Sequence, residues 1–198
     1  MTALEETFLQ MDVLIANNIA EMHQISKEFP PAMTPLKRAS QMQGMKNNKQ
    51  LQNLLKEEAK EDQNMEEKGC TANVILYVPE DTANNQPAMV YCANAGDSRS
   101  VLGSMGKATA LSFDHKPTNP SERTRIQRAG GFVNAEGRVN GNLNLSRAIG
   151  DLTYKKNRRI PAKEQQITSF PDVRQMPLNA KTDFIVMGCD GIWEFHTN

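Results

Sequence analysis

The sequence predicts an α+β fold, on two observations. A helical stripe of apolar residues occupies the start of the chain, and from Gly69 onward short apolar runs alternate with turn residues. Length narrows the answer: 198 residues suit one domain, with room for an appendage.

The helix comes first. Leu4, Phe8, Met11, Leu14 or Ile15, Ile19 and Met22 recur at helical spacing over residues 3–22, and Glu5 and Glu6 suit a helix N-terminus. With one apolar face, this helix needs a surface to pack against. Pro30, Pro31 and Pro35 then break the chain. Residues 37–68 turn polar, rich in Gln, Asn, Lys and Glu, with one short stripe at Leu51, Leu54 and Leu55. That stripe falls short of the roughly three or four heptads a coiled coil needs. The segment reads as a solvated insertion; a partner-binding helix is the functional alternative.

Strands follow. Cys70–Val78 is an apolar run that reads as one strand, Pro79–Pro87 is a polar loop, and residues 88–95 form the antiparallel neighbour. Ser98–Leu102 and Lys107–Leu111 flank Gly103-Ser104-Met105-Gly106 as a hairpin. Gly106-Lys107 lacks the spacing of a phosphate-binding loop and no helix follows it. Pro120–Ala129 reads as a short helix, with Asn119 to cap it, Pro120 in its first turn and Gly130-Gly131 to end it. Residues 132–146 read as short strands with turns at Glu136-Gly137 and Asn140-Gly141. Residues 147–170 are polar and irregular. Their basic cluster, Lys155-Lys156-Asn157-Arg158-Arg159, reads as a solvated loop, with recruitment of an acidic or phosphorylated partner as the alternative. Pro171-Asp172-Val173 and Phe184–Cys189 return to strand character, and Asp190–Phe195 begins a helix.

Composition excludes several classes. A hydrophobic fraction of 38% predicts that part of the chain is solvated, and 23 basic residues balance 23 acidic ones. That balance gives no electrostatic case for nucleic acid or an anionic membrane. No apolar run approaches the roughly 18 residues of a membrane span. Met1–Glu6 carries acids where a secretory signal needs a basic start. Cys70, Cys92 and Cys189 are odd in number and lie beside apolar runs, so reduced core thiols are expected rather than disulfides or a zinc site. The expected compartment is cytoplasmic or nuclear.

Two aspartates stand at the ends of core strands: Asp97 after the run Ala88–Ala93, and Asp190 after Phe184–Cys189. Each alone reads as a turn opener beside glycine. Together they suggest a shared polar site at one end of a sheet, because a charge there is costly unless paired or bound to a metal.

The ordered segments then carry a resemblance. They are Gly69-Cys70-Thr71-Ala72, Ala93-Asn94-Ala95-Gly96-Asp97-Ser98-Arg99, Leu111-Ser112-Phe113-Asp114-His115-Lys116-Pro117, Glu122, Arg125-Ile126, Ala129-Gly130-Gly131, Gly137-Arg138-Val139-Asn140-Gly141, Leu145–Asp151, Pro171-Asp172-Val173 and Cys189-Asp190-Gly191-Ile192-Trp193. In this order, over about residues 69–195, the chain resembles the metal-dependent protein serine/threonine phosphatases of the PP2C (PPM) type. The 3–22 helix is similar to the helix preceding that region.

The resemblance implies a layered α-β-β-α sandwich of two antiparallel sheets. It implies a two-metal site for Mg²⁺ or Mn²⁺, whose activated water attacks the phosphorus of phosphoserine or phosphothreonine in a protein substrate. Asp190 matches a metal ligand in the Asp-Gly-Ile-Trp motif. Asp97 matches an aspartate associated with a weaker third metal. Glu194 stands where many members have Asp and would serve the same metal through a longer side chain. Asp114, Arg138, Arg147 and Asp151 match positions expected to be structural, through buried Arg–Asp pairing. Residues 147–165 correspond to the flap beside the site. The family's upstream phosphate-binding arginine, acid pair and Asp-Gly-His-Gly motif, and its final Asp-Asn motif, have no counterpart here. Residues 1–198 are therefore expected to be a partial phosphatase domain truncated at both ends, with no assignable catalytic or substrate-binding residue and no activity alone. The alternatives are an inactive phosphatase-like module that binds phosphoproteins, and a scaffold acting through residues 41–68.

Overall fold

A computed structural model describes residues 2–28 and 67–198. Most of the expected insertion at 37–68 therefore lies outside the described residues. Helix α1 (Thr2–Glu28) is longer than its apolar stripe. Phe8 and Ile19 are buried, and Leu4 and Ile15 pack beside Phe8 in one apolar cluster with Ala93, Ala95 and Ile149. The choice between Leu14 and Ile15 goes to Ile15, since Leu14 points off the stripe and is 59% exposed. Met11, at the stripe's margin, is also exposed rather than core.

The strands are β1 (Gly69–Cys70), β2 (Ala72–Val78), β3 (Met89–Ala95), β4 (Arg99–Ser104), β5 (Lys107–Ala110), β6 (Ile149–Gly150), β7 (Asp172–Pro177) and β8 (Thr182–Gly188). Sheet one has the order β2-β3-β7 and sheet two the order β5-β4-β8, and all their pairings are antiparallel. In sheet one, Ala72 faces Ala95 at one end of the β2–β3 pairing and Val78 faces Met89 at the other, as the neighbouring apolar runs predict. Val90 and Cys92 of β3 form the inner core with Leu102 of β4 and Leu111, and Ile75, Met176 and Ile185 pack against them. That cluster lies between the sheets, and α1 covers the opposite face of sheet one. The α-β-β part of the expected layering is thus present. On sheet two, Phe184 and Val186 are exposed.

Several expectations change. The run Cys70–Val78 is not one strand. Thr71 interrupts it and hydrogen-bonds to Ser98 between side-chain oxygens at 2.8 Å, while β1 pairs with β6 instead of β3. Residues 132–146 form only isolated bridges, Val133 to Val139 and Val139 to Leu143. The chain turns too often to extend there, with Gly137, Asn140 and Gly141 all in the left-handed region. Its apolar side chains go inward to a third cluster of Ile126, Val139, Ala148 and Ile167 beneath helix α2 (Pro120–Arg128). Asn119 does not cap α2; its amide donates to the Asp114 carbonyl at 2.9 Å instead. Of the cysteines only Cys92 is a core thiol. Cys70 and Cys189 sit at strand ends and are exposed, and all three are free.

Candidate functional site

The rim is built from the end of β3. Gly96 has φ +128°, and a Cβ there would lie 2.4 Å from the Thr71 side chain. Only glycine fits this close approach. Two hydrogen bonds clamp Gly96 to His115. The Gly96 N–H donates to His115 Nδ1 at 3.1 Å, and the His115 N–H donates to the Gly96 carbonyl at 3.0 Å. Asp97 is thereby held rigidly. It is 4% exposed and accepts a hydrogen bond from Lys116 Nζ at 2.5 Å.

Sheet two brings Asp190 to the same end. The β4–β8 register finishes at Arg99 opposite Gly188. Asp97 stands two residues before that pair and Asp190 two after it, so both leave the sheet at one edge. Asp190 is half-buried and opens the short helix α3 (Asp190–Trp193). Glu194 follows, exposed, with its backbone N–H donating to the Asp190 carbonyl at 2.8 Å. Arg99 ties the edge together. Its guanidinium grips Asp114 in a two-pronged pair at 2.8 and 3.0 Å, lies 5.2 Å from the Trp193 ring centre and donates to Asn198. Trp193 in turn donates to the Gly188 carbonyl at 2.8 Å.

The structure thus brings Asp97 and Asp190 to one rim, with Glu194 one turn beyond Asp190. Carboxylate oxygens suit a hard divalent cation. Among the described residues, however, no three acidic, histidine or cysteine side chains converge closely enough to hold one. The charge of Asp97 is also already met by Lys116. The described carboxylates do not by themselves fit a metal pair.

Behind the rim lies a buried ionic network. Glu122, 3% exposed, accepts hydrogen bonds from Arg125 Nη1 at 2.7 Å, Arg147 Nη2 at 2.8 Å and Ser146 Oγ at 2.6 Å. Burial pushes its carboxyl up. The Arg147 hydrogen bond and the charges of both arginines outweigh this and hold it at about 2. Arg147 also donates to Asp172 at 2.7 Å. The Asp172 carboxyl is held well below the usual carboxylate range by His115 first and by Arg147, against an upward push from burial. His115 Nε2 lies 3.1 Å from Asp172 Oδ2, but the two are not aligned for a good hydrogen bond. An open cleft of about 610 Å³ runs beside the network, walled by Arg125, Arg128, Arg147 and Lys163.

Of the residues expected to be structural, Asp114 and Arg147 are ion-paired. The deepest partner of Arg147 is Glu122 rather than an aspartate. Asp151 is buried, and burial pushes its carboxyl up, against the charge of Lys155. Arg138 only braces its own loop, donating to the Asn142 carbonyl. The basic cluster is not wholly solvated: Lys155 is half-buried, paired with Asp12 of α1 at 2.6 Å and donating to the Ala148 carbonyl. Glu122 could have been found from its helical spacing to Arg125. Nothing in the sequence marks Asp12, on the polar side of α1, as the partner of a lysine so far along the chain.

The family description "Protein phosphatase 2C" matches residues 5–198. Protein phosphatase 2C homolog 2 of Schizosaccharomyces pombe is 49% identical over 136 residues, 68% of this chain and 35% of that one. Probable protein phosphatase 2C 6 of Paramecium tetraurelia is 54% identical over 126 residues, 64% of this chain and 40% of its own length. The chain therefore spans 35% to 40% of these relatives. A phosphatase crystal structure from Toxoplasma gondii shares 30% identity, covering 63% of this chain and 47% of its own, with a TM-score of 0.49.

Proposed function

We propose, for a chain that belongs to the protein phosphatase 2C family, that it is part of a protein serine/threonine phosphatase acting on phosphoserine and phosphothreonine in proteins. The observation that carries this reading is the family match across residues 5–198, within which Asp97 and Asp190 share one sheet edge. Asp190, Asp97 and Glu194 are this segment's contribution to a rim that faces Mg²⁺ or Mn²⁺. Such ions supply charge neutralisation for phosphoryl oxygens and acidify a bound water. The described carboxylates do not assemble a metal pair, so no reaction step is assigned to them. The role of this segment is to hold negative charge in place at the edge. Arg99, the His115 clamp on Gly96 and the Glu122 network keep that edge rigid. Residues 147–165 act as a flap beside it, and the protein works in the cytoplasm or nucleus. Among the described residues no helix is long and apolar enough to cross a membrane.

The test is phosphate release from a phosphopeptide by the complete protein carrying this segment, with Mn²⁺ present. Asp190→Asn is expected to lower turnover by roughly 10- to 100-fold, as losses around a metal site do. Unchanged turnover overturns the assignment. The 198-residue chain alone is expected to release no phosphate. The capture of Asp97 by Lys116 favours a second reading, an inactive module that binds phosphoproteins. That reading expects phosphopeptide binding without turnover even in the complete protein.

A further inference from the structure

The pairing of Asp97 with Lys116 is built rather than incidental. Asp97 is almost fully buried, and among the described residues its charged partner is the Lys116 ammonium at 2.5 Å. A surface pair of this kind holds two long side chains together at an entropic cost and contributes little. Here both ends are fixed in advance. The Asp97 end is clamped by the two Gly96–His115 hydrogen bonds. The Lys116 end belongs to a loop pinned on both sides of the lysine. Before it, Asp114 is locked to Arg99. After it, the Asn119 N–H donates to the Lys116 carbonyl at 3.0 Å, and the Asn119 amide donates to the Asp114 carbonyl. The Ser146 N–H and hydroxyl both bond the His115 carbonyl, anchoring the loop to the Glu122 network. The lysine is thus delivered to the carboxylate by the fold.

A buried carboxylate needs a cation, and two cations on one buried carboxylate repel strongly where water is scarce. The ammonium of Lys116 and a divalent ion are therefore alternatives at Asp97. We propose that Lys116 is a built-in competitor that occupies Asp97 in place of a divalent cation and weakens this position for metal. The inference rests on the reading of Asp97 as a rim carboxylate. Lys116 is one-third exposed, so it has an open side toward which it can swing when a divalent ion displaces it.

The test uses the 198-residue chain and Mn²⁺ as the probe. Binding is followed by the loss of the free Mn²⁺ paramagnetic resonance signal, and stability by thermal unfolding with and without Mn²⁺. Lys116→Met is expected to bind Mn²⁺ about tenfold more tightly than the unsubstituted chain, the order of a typical coupling between two bound species. Its melting temperature should rise more on Mn²⁺ addition. Lys116→Arg keeps the cation and should behave like the unsubstituted chain. Asp97→Asn added to Lys116→Met should remove the gain. If Lys116→Met folds only with Mn²⁺ present, the proposal stands; a chain that stays unfolded in millimolar Mn²⁺ overturns it. Mn²⁺ binding that Asp97→Asn abolishes but Lys116→Met leaves unchanged overturns the competition while keeping Asp97 as a ligand. Binding by none of the variants overturns both.

Discussion

Glu122 is the most heavily committed carboxylate in the described chain, and Glu122→Gln tests what it does. Gln keeps the shape and removes the charge. In the folded chain the carboxyl is held at about 2, against 4.5 when unperturbed. At about 1.36 kcal/mol per pH unit, that gap corresponds to roughly 3 kcal/mol of stability. The folded value lies below the unfolded one. The contribution is therefore complete above pH 4.5 and disappears as the pH falls through about 2. Removing one partner from a buried pair costs roughly 3–5 kcal/mol. The low end applies here, because Arg147 keeps Asp172, and Arg125 keeps the carbonyls of Gln165 and Ser146. Urea unfolding of both chains, followed by circular dichroism from neutral pH down to about pH 2, measures the difference. The variant should be less stable by roughly 3 kcal/mol at neutral pH. The difference should shrink below pH 4.5, because only the unsubstituted chain has this contribution to lose. A difference that stays constant across the whole range refutes the account of the network.

Three further outcomes follow from the geometry. Gly96→Ala places a Cβ 2.4 Å from the Thr71 side chain in a left-handed backbone and should cost roughly 2–4 kcal/mol in urea unfolding; a loss under about 1 kcal/mol contradicts the close approach. Lys155→Met leaves Asp12 partly buried beside the Gly150 N–H without its cation. Hydrogen exchange in α1 should then accelerate, while exchange in β3 should change little. A thiol reagent should label Cys70 and Cys189 in the folded chain and reach Cys92 only in denaturant; rapid labelling of three thiols without denaturant counts against the packing between the sheets.

Much of the fold was legible because burial writes a pattern along the chain. Ala72–Val78 and Met89–Ala95 are apolar enough, and close enough, that their antiparallel pairing follows from adjacency. The α1 stripe was legible for the same reason, though its period could not choose between Leu14 and Ile15 or show that Met11 overhangs its sheet. The interruption at Thr71 and the irregular path of residues 132–146 were not legible. The first depends on a hydrogen bond to Ser98 from a distant loop. The second depends on left-handed residues whose turns carry apolar side chains into a separate core. Asp97 and Asp190 were legible as candidates, each at a strand end beside glycine. What holds them was not.

By itself, the sequence determined the class of the fold, most of its strands, the order of the motifs and the two aspartates at the strand ends. These are local properties, set by side-chain polarity at period two or near 3.6 and by the conformational freedom of glycine. Only the tertiary structure decided that β8 lies against β4, which brings Asp190 to the edge where Asp97 stands. It also decided which cation each buried or half-buried acid receives: Lys116 for Asp97, Arg125 and Arg147 for Glu122, and Lys155 for Asp12. The physical reason is that a buried charge takes the partner that packing brings within about 3 Å, and sequence distance does not enter that choice.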